Sequence, residues 1–431
     1  MKDITEKIEK LQRYISCLPL TKTEARAAGI AHDVYLGLKS SATDINEKIK
    51  HQMLKSQYKV FKKLAKNVEI RLFRNLTPFD AFIYRYLLKK KEILPIYSIY
   101  NFSNEEINQR LEQQISIGIQ EIATENGLMP SLASKLHFTS YNGLLNTTKK
   151  FFNATKPDCV AAGALHNFLD RVFENYNYIP YHNFAHAVNV LQFFEHMLKR
   201  TPRLFMHYSP EKRFWTLVAC ICHDITHYSK NNAYYLKKKH NLAFKSLEKS
   251  VLEHYHCEKT LKIMSREDCD LMAQLAPEDK SAYKRVIIDA ILATDMARHF
   301  SLIEQFNTLD LKKALNDDEF SKCNGFLIHS SDVANPALDF DNYLLWAELV
   351  SQEFNLQTIS EKKHGLDVTP FFEYGGREAF LKSQCGFINN FVMPLFKAIS
   401  DKTGNEEFEE QCKDNVKTLT TMLEQNSEKA K

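Results

Sequence analysis

Four short stretches of this 431-residue chain gather histidine, aspartate and asparagine. They are Tyr181-His182-Asn183-Phe184-Ala185-His186-Ala187, His223-Asp224-Ile225-Thr226-His227 running on to Asn232, Thr294-Asp295-Met296, and Ser331-Asp332-Val333-Ala334-Asn335-Pro336. Imidazole nitrogens with carboxylate oxygens form the mixed donor set that suits Zn²⁺ and other borderline divalent ions. One stretch alone means little, because 16 His and 21 Asp in 431 residues give roughly 0.8 His-Asp pairs by chance. His32-Asp33 is read as such a chance pair, with no second histidine three or four residues away. His223-Asp224 follows Leu217-Val218-Ala219-Cys220-Ile221-Cys222, so it reads as emerging from a buried helix, where a carboxylate must be paired or bound to metal. His227 is predicted on the same helical face as His223, and His182 with His186 repeats that four-residue spacing. Asp332 closes another apolar stretch, Phe326-Leu327-Ile328. Buried imidazoles and carboxylates on separate helices make a metal site in a bundle core. A carboxylate such as Asp224 can also bridge to a second, harder ion of the Mg or Mn type held mostly by water. Two ions about 3.5–4 Å apart are a device for hydrolysing phosphate esters.

The elements that must position these groups read as helices. Apolar, aromatic and charged residues make up 44%, 12% and 26% of the chain, a globular composition that excludes collagen-like and wholly disordered classes. Only 12 Gly and 12 Pro argue against a sandwich or barrel of many short strands. Leu165, Phe168, Leu169, Val172, Phe173 and Tyr176 form one helical stripe, and Val251, Leu252, Tyr255 and Leu261 another. The fold expected is all-α, a compact multi-helix domain with a two-metal site in its core.

Three segments are expected: a helical basic extension over 1–104, a catalytic body over 105–412, and a charged tail over 413–431. Residues 1–100 hold 20 Lys and Arg against 10 Asp and Glu, and the rest hold 37 against 43. In the extension, Ile4, Ile8, Leu11 and Ile15, and again Leu54, Tyr58, Phe61 and Leu64, keep helical spacing, with helix starts at Thr77-Pro78 and Asn104. The extension is expected to cap the body or to join two copies in a homodimer. No apolar run approaches the length of a membrane span, the N-terminus lacks a signal-peptide pattern, and nine scattered Cys without a C-x-x-C pair read as reduced thiols. A cytoplasmic protein with no nucleic-acid partner is expected.

Read together, the four stretches resemble the catalytic domain of the class I cyclic nucleotide phosphodiesterases, a branch of the HD-type metal phosphohydrolases. The likeness runs over roughly 105–412 and includes Ser250-Val251-Leu252-Glu253 with His256, Leu292-Ala293-Thr294-Asp295-Met296 with His299, and Lys382-Ser383-Gln384-Cys385-Gly386-Phe387. The resemblance implies that His186, His223, Asp224 and Asp332 hold Zn, and that Asp224 bridges to Mg or Mn. It places His227, Thr294 and Asp295 behind those ligands, orienting water or the acid. It makes His182 the general acid that protonates the departing 3′ oxygen after water attacks phosphorus in line, with Glu253 and His256 behind it keeping the imidazole charged.

In the same way Gln384 is implied to bind a purine between Phe387 and Val350. An amide can present its oxygen or its NH₂, so Gln384 alone serves adenine or guanine; Asn335, beside Asp332, can pair with adenine and tips the expectation toward cAMP. The chain departs from the family's pattern at Thr226, Ser229, Asn189 and Ser246-Leu247-Glu248-Lys249, none of them a ligand or the acid. Two other readings stay open: an HD-type phosphohydrolase acting on another nucleotide, which needs the ligands but not His182, Gln384 and Phe387, and a non-catalytic nucleotide-sensing protein, whose mark would be a lost ligand.

Overall fold

The computed structural model describes residues 140–374 and 376–429, with isolated positions between 8 and 76. The chain divides into two compact units, Met1–Leu76 and Thr77–Lys431. In the first, Ile8 and Tyr58 are helical as their spacing predicts, and the Tyr35 hydroxyl donates to Glu9 at 3.1 Å. His32 is exposed and bonds Gln12 at 2.8 Å. The remaining positions of the two predicted stripes, the helix starts at Thr77 and Asn104 and the expected boundary at 104 lie outside the described residues.

The second unit is helical, with no strand among the described residues. Its α-helices of five residues or more are α1 Tyr141–Thr155, α2 Ala162–Asn175, α3 Phe184–Arg200, α4 Pro210–Cys222, α5 Asn232–Lys237, α6 Asn241–Lys245, α7 Val251–Met264, α8 Pro277–Leu292, α9 His299–Thr308, α10 Asp317–Asp332, α11 Phe340–Lys363, α12 Arg377–Phe387, α13 Met393–Thr403 and α14 Glu407–Lys429. α4 is the hub, packed on α3 and α8. Ser209 caps its start with Pro210 in the first turn, and Phe214 to Cys222 are all buried, the all-round apolar pattern of a fully interior helix. Eight cysteines from Cys159 to Cys412 are free thiols.

Local chemistry then decides where the helices stop and start. α4 ends at Cys222, where the Tyr176 hydroxyl donates to the Ile221 carbonyl at 3.0 Å and Thr226 turns the chain with φ 66°. His227 therefore does not continue the helical face of His223, as the spacing predicts, but follows a turn. α3 starts one residue after Asn183, whose Oδ1 accepts from the Ala185 and His186 amides at 2.9 and 3.3 Å. His182 consequently precedes the helix that carries His186, and the two do not share a helical face. α10 opens with a capping box between Asn316 and Glu319 and ends on Asp332. α14 runs straight through the expected boundary at 412: Cys412 and Leu419 are buried, and Asn415 donates to the Pro336 and Leu338 carbonyls, both at 2.8 Å. The first turns of the supposed tail are thus packed on the body.

Thr226 and Ser229, two departures from the family pattern, both sit in the left-handed region, at φ 66° and 57°. That region tolerates Asp, Asn and Gly and penalises a β-branched residue. Ser229→Gly keeps the amide that donates to His227 Nδ1 at 3.1 Å and removes the strain. Thermal unfolding is expected to show this variant stabilised by about 0.5–1 kcal/mol, and Ser229→Val destabilised; an unchanged or lowered midpoint for the glycine variant counts against the strain.

Candidate metal centre and nucleotide cavity

Three helix ends deliver the ligand set: His186 from the first turn of α3, His223 and Asp224 from the end of α4, and Asp332 from the end of α10. His186 Nε2 lies 2.9 Å from Asp332 and 3.5 Å from Asp224, and His223 Nε2 lies 3.2 Å from each carboxylate. Such separations suit cis ligands around one ion with bonds of about 2.1 Å. His223 Nδ1 donates to the Cys220 carbonyl at 2.9 Å, which fixes the ring with its Nε2 lone pair facing the carboxylates. That buried Nε2 has no hydrogen-bond partner. An orphaned imidazole nitrogen between two carboxylates fits a cation.

His186 and His223 are wholly buried, while Asp224 and Asp332 reach the wall of a cavity of about 990 Å³. Glu253, Thr294, Asp295 and Asn232 line the same wall. Glu253 takes two contacts from the Asn232 amide at 3.0 and 3.3 Å, and Ser250 donates to Asp295 at 2.7 Å. Burial, with Asp295 nearby, raises the Glu253 pKa to about 8. A neighbouring cation would relieve this crowding of carboxyls, so this side of Asp224 can accommodate a second ion through water.

The sequence reading places Glu253 and His256 behind His182, and the structure puts Glu353 there instead. His182 Nδ1 donates to Glu353 Oε1 at 2.6 Å, while Glu353 Oε2 accepts the Tyr181 and His182 amides at 3.0 and 3.2 Å. His256 donates its Nδ1 proton to the Ile225 carbonyl at 2.6 Å, and its Nε2 stands 3.7 Å from Asp224. Burial disfavours a charged His182, but the carboxylates of Glu353 and Asp224 outweigh it and raise its pKa to about 9. Burial likewise opposes the Glu353 charge, yet His182 holds its pKa down to about 2. His227 stacks on His182 with ring centroids 3.9 Å apart, and burial plus the His182 charge lower it to about 3. It thus serves as a neutral plate against the charged ring.

Glu353 went unseen because its neighbours Ser351, Gln352 and Phe354 carry no histidine or aspartate. A signal was present nonetheless: Trp346, Val350, Glu353 and Gln357 fall on one helical stripe, and an acid on a buried stripe needs a partner.

Gln384, Phe387, Val350 and Asn335, the four residues expected to hold a base, line the same cavity. Gln384 Oε1 accepts from the Tyr343 hydroxyl at 3.2 Å, leaving both N–H groups and one lone pair for a ligand. Phe387 stacks near Phe391, where α12 passes into a π-helical turn, Ile388–Val392. Asn335 is already engaged: it donates to the Tyr181 hydroxyl at 2.7 Å and accepts from Asn189 at 2.9 Å. Tyr181 in turn lies against His186, with ring centroids 4.5 Å apart.

This combination of an all-helical body, a His/Asp cage and a nucleotide-sized cavity has counterparts. The sequence profile of the 3′5′-cyclic nucleotide phosphodiesterase family matches residues 181–414, and the chain belongs to that family. It is 30% identical over 250 residues to the dual 3′,5′-cyclic-AMP and -GMP phosphodiesterase beta of Plasmodium falciparum, an alignment covering 57% of this chain and 22% of that protein. It is 28% identical over 320 residues to the 3′,5′-cyclic-AMP phosphodiesterase 4C of Rattus norvegicus, covering 72% and 58%. The chain thus spans less than two thirds of these relatives. The phosphodiesterase domain of the RhoPDE fusion protein from the choanoflagellate Salpingoeca rosetta shares the fold, with a TM-score of 0.65 at 24% identity over 71% of this chain and 98% of that one. No helix among the described residues is long and apolar enough to cross a membrane.

Proposed function

We propose that this chain hydrolyses 3′,5′-cyclic nucleotides to 5′-monophosphates, with cAMP favoured over cGMP. The observation that carries this reading is one cavity wall bearing both the Asp224 and Asp332 carboxylates of a His/Asp cage and the ion-paired His182. Zn in the cage, with Mg or Mn beside Asp224, supplies Lewis acidity and acidifies water. His182 holds a proton at Nε2 while Glu353 grips Nδ1, and supplies that proton to O3′ as the P–O3′ bond breaks. Such an acid is worth about 10²–10⁴ in rate. His227 braces the ring from one face, and Thr294, Asp295 and Glu253 orient water. Gln384 takes the base edge between Phe387 and Val350. The preference for cAMP rests on Asn335, whose remaining N–H and lone pair face adenine in an orientation set by Tyr181 and Asn189. Free thiols suit a reducing, cytoplasmic setting. The basic extension is proposed as a cap or dimer contact.

The test is incubation of Zn- and Mg- or Mn-loaded protein with cAMP, cGMP and noncyclic nucleotides, with the products identified. Formation of 5′-AMP with a higher kcat/KM for cAMP is expected. Release of 3′-AMP or absence of turnover would falsify the reaction, turnover of noncyclic nucleotides alone favours the broader phosphohydrolase reading, and equal kcat/KM values remove the base preference only.

A further inference from the structure

The stretch from Tyr228 to Ser250, leading into α7, carries six lysines against one acid, Glu248. It stands on a body whose net charge is negative, since residues 101–431 hold 37 basic against 43 acidic side chains. α5 and α6 fold over a small apolar cluster of Tyr235, Ala243, Val251 and Leu252, with Leu242 packed on it. Leu236, Phe244 and Leu247 take no part in that cluster and face solvent, Phe244 at 57% and Leu247 at 82% exposure. Lys238, Lys239, Lys245 and Lys249 are exposed around them. Lys237 turns inward to Glu361 at 3.3 Å, but these four have no carboxylate partner among the described residues.

The backbone fixes how the two short helices end and where Leu247 points. Lys239, Leu247, Glu248 and Ser250 all adopt positive φ, at 47°, 53°, 62° and 42°. At Lys239 and Leu247 this is the left-handed residue that closes a helix, the His240 amide returning to the Tyr235 carbonyl at 3.1 Å after α5 as the Glu248 amide does after α6. Here it projects Leu247 outward, while the turn is pinned by the Glu248 amide on the Ala243 carbonyl at 2.8 Å and the Leu247 amide on the Phe244 carbonyl at 3.2 Å.

We propose that this face docks on an anionic lipid surface, the four lysines meeting headgroup charge while Phe244 and Leu247 enter the interface. The chain's own front segment is unsuited to cover it, because residues 1–100 are themselves basic, with 20 Lys and Arg against 10 acids. A second copy would oppose lysine to lysine. Phe244 and Leu247 do not line the cavity; they protrude, and a protruding apolar pair ringed by lysines suits a bilayer, which accepts it without a complementary groove. The face is tied to the catalytic cavity, since Asn232 at the start of α5 accepts from the Leu252 amide at 2.9 Å and donates to Glu253.

The test is sedimentation of the full chain with phosphatidylcholine vesicles with and without phosphatidylserine, at low and high salt. Binding is expected only with phosphatidylserine and is expected to fade as salt screens the charges. Replacing Lys238, Lys239, Lys245 and Lys249 with Gln is expected to weaken it by on the order of 10²-fold or more. Phe244→Ser with Leu247→Asn is expected to weaken it about 10-fold or more at low salt. Hydrolysis of soluble substrate, and failing that the thermal midpoint, reports whether each variant is folded. Vesicle binding that survives both sets of substitutions, equal binding to neutral vesicles, or no vesicle binding at all overturns the proposal. Capture of poly-glutamate that needs the lysines but not Phe244 and Leu247, without vesicle binding, also overturns it in favour of an acidic protein partner.

Discussion

Asp332→Ala protein is expected to leave purification without its divalent ions and without measurable cyclic nucleotide hydrolysis, and Asp224→Ala protein likewise. Each carboxylate stands within 3.5 Å of both imidazoles, so deleting either strips two histidines of their anionic neighbour as well as removing a donor. Loss of an outer partner alone costs about 10–100-fold in metal affinity, and loss of a ligand costs more. His182→Ala is the contrast. Its Nδ1 belongs to Glu353 and its Nε2 is kept for substrate, so that variant is expected to retain both ions and lose about 10²–10⁴ in kcat. Metal analysis beside steady-state kinetics reads both outcomes. Loss of metal from the His182 variant would place that imidazole among the ligands and undo the assignment.

Glu353→Gln tests the residue that the spacing did not reveal. The amide oxygen can still accept the His182 Nδ1 proton, but its NH₂ then faces the Tyr181 and His182 amides that Oε2 accepts, so some stability is lost, and the charge that offsets burial is gone. An opposite charge at this range shifts a pKa by about 1–3 units, so the imidazole becomes neutral nearer pH 7 and kcat is expected to fall by up to about 10-fold there. For the acid to work it must be protonated. With the His182 pKa raised to about 9, the alkaline limb of kcat should lie no higher than about pH 9, since bound cations pull it down, and should move lower by at least about one pH unit in the variant. Stability follows the same linkage. The raised histidine contributes fully below its ordinary 6.5 and loses its contribution as pH rises through about 9. The depressed glutamate contributes above its ordinary 4.5 and loses its contribution as pH falls through about 2. The variant's stability deficit should therefore be greatest between about pH 4.5 and 6.5. An unshifted pH profile would remove Glu353 from the proton relay.

The ligands were legible because they cluster in short stretches flanked by apolar helix. That Gln384 and Phe387 line the cavity was legible only through the Lys-Ser-Gln-x-Gly-Phe setting, since an isolated phenylalanine on α12 looks like core. Periodicity gave the wrong local geometry for His182 and His227 because it cannot see Asn183 capping α3 or Thr226 ending α4 in a left-handed turn. The resemblance put the end of the body at 412, close to the profile's end at 414, but could not show that α14 continues past it and buries Asn415 and Leu419 along one edge. Long-range pairing such as His182 with Glu353, 171 residues apart, leaves no mark in local pattern.

The bonds from Asn189 through Asn335 to the Tyr181 hydroxyl, and the tilted ring contact of Tyr181 with His186, give the proposed base pocket and the metal cage a common strut. A change at position 335 that retunes base choice must also disturb the tyrosine beside a metal ligand. If Asn335 sets base choice as proposed, recognition and catalysis are expected to be epistatic, with a new nucleotide preference reached most readily through paired changes at 189 and 335 that leave the tyrosine's partner in place.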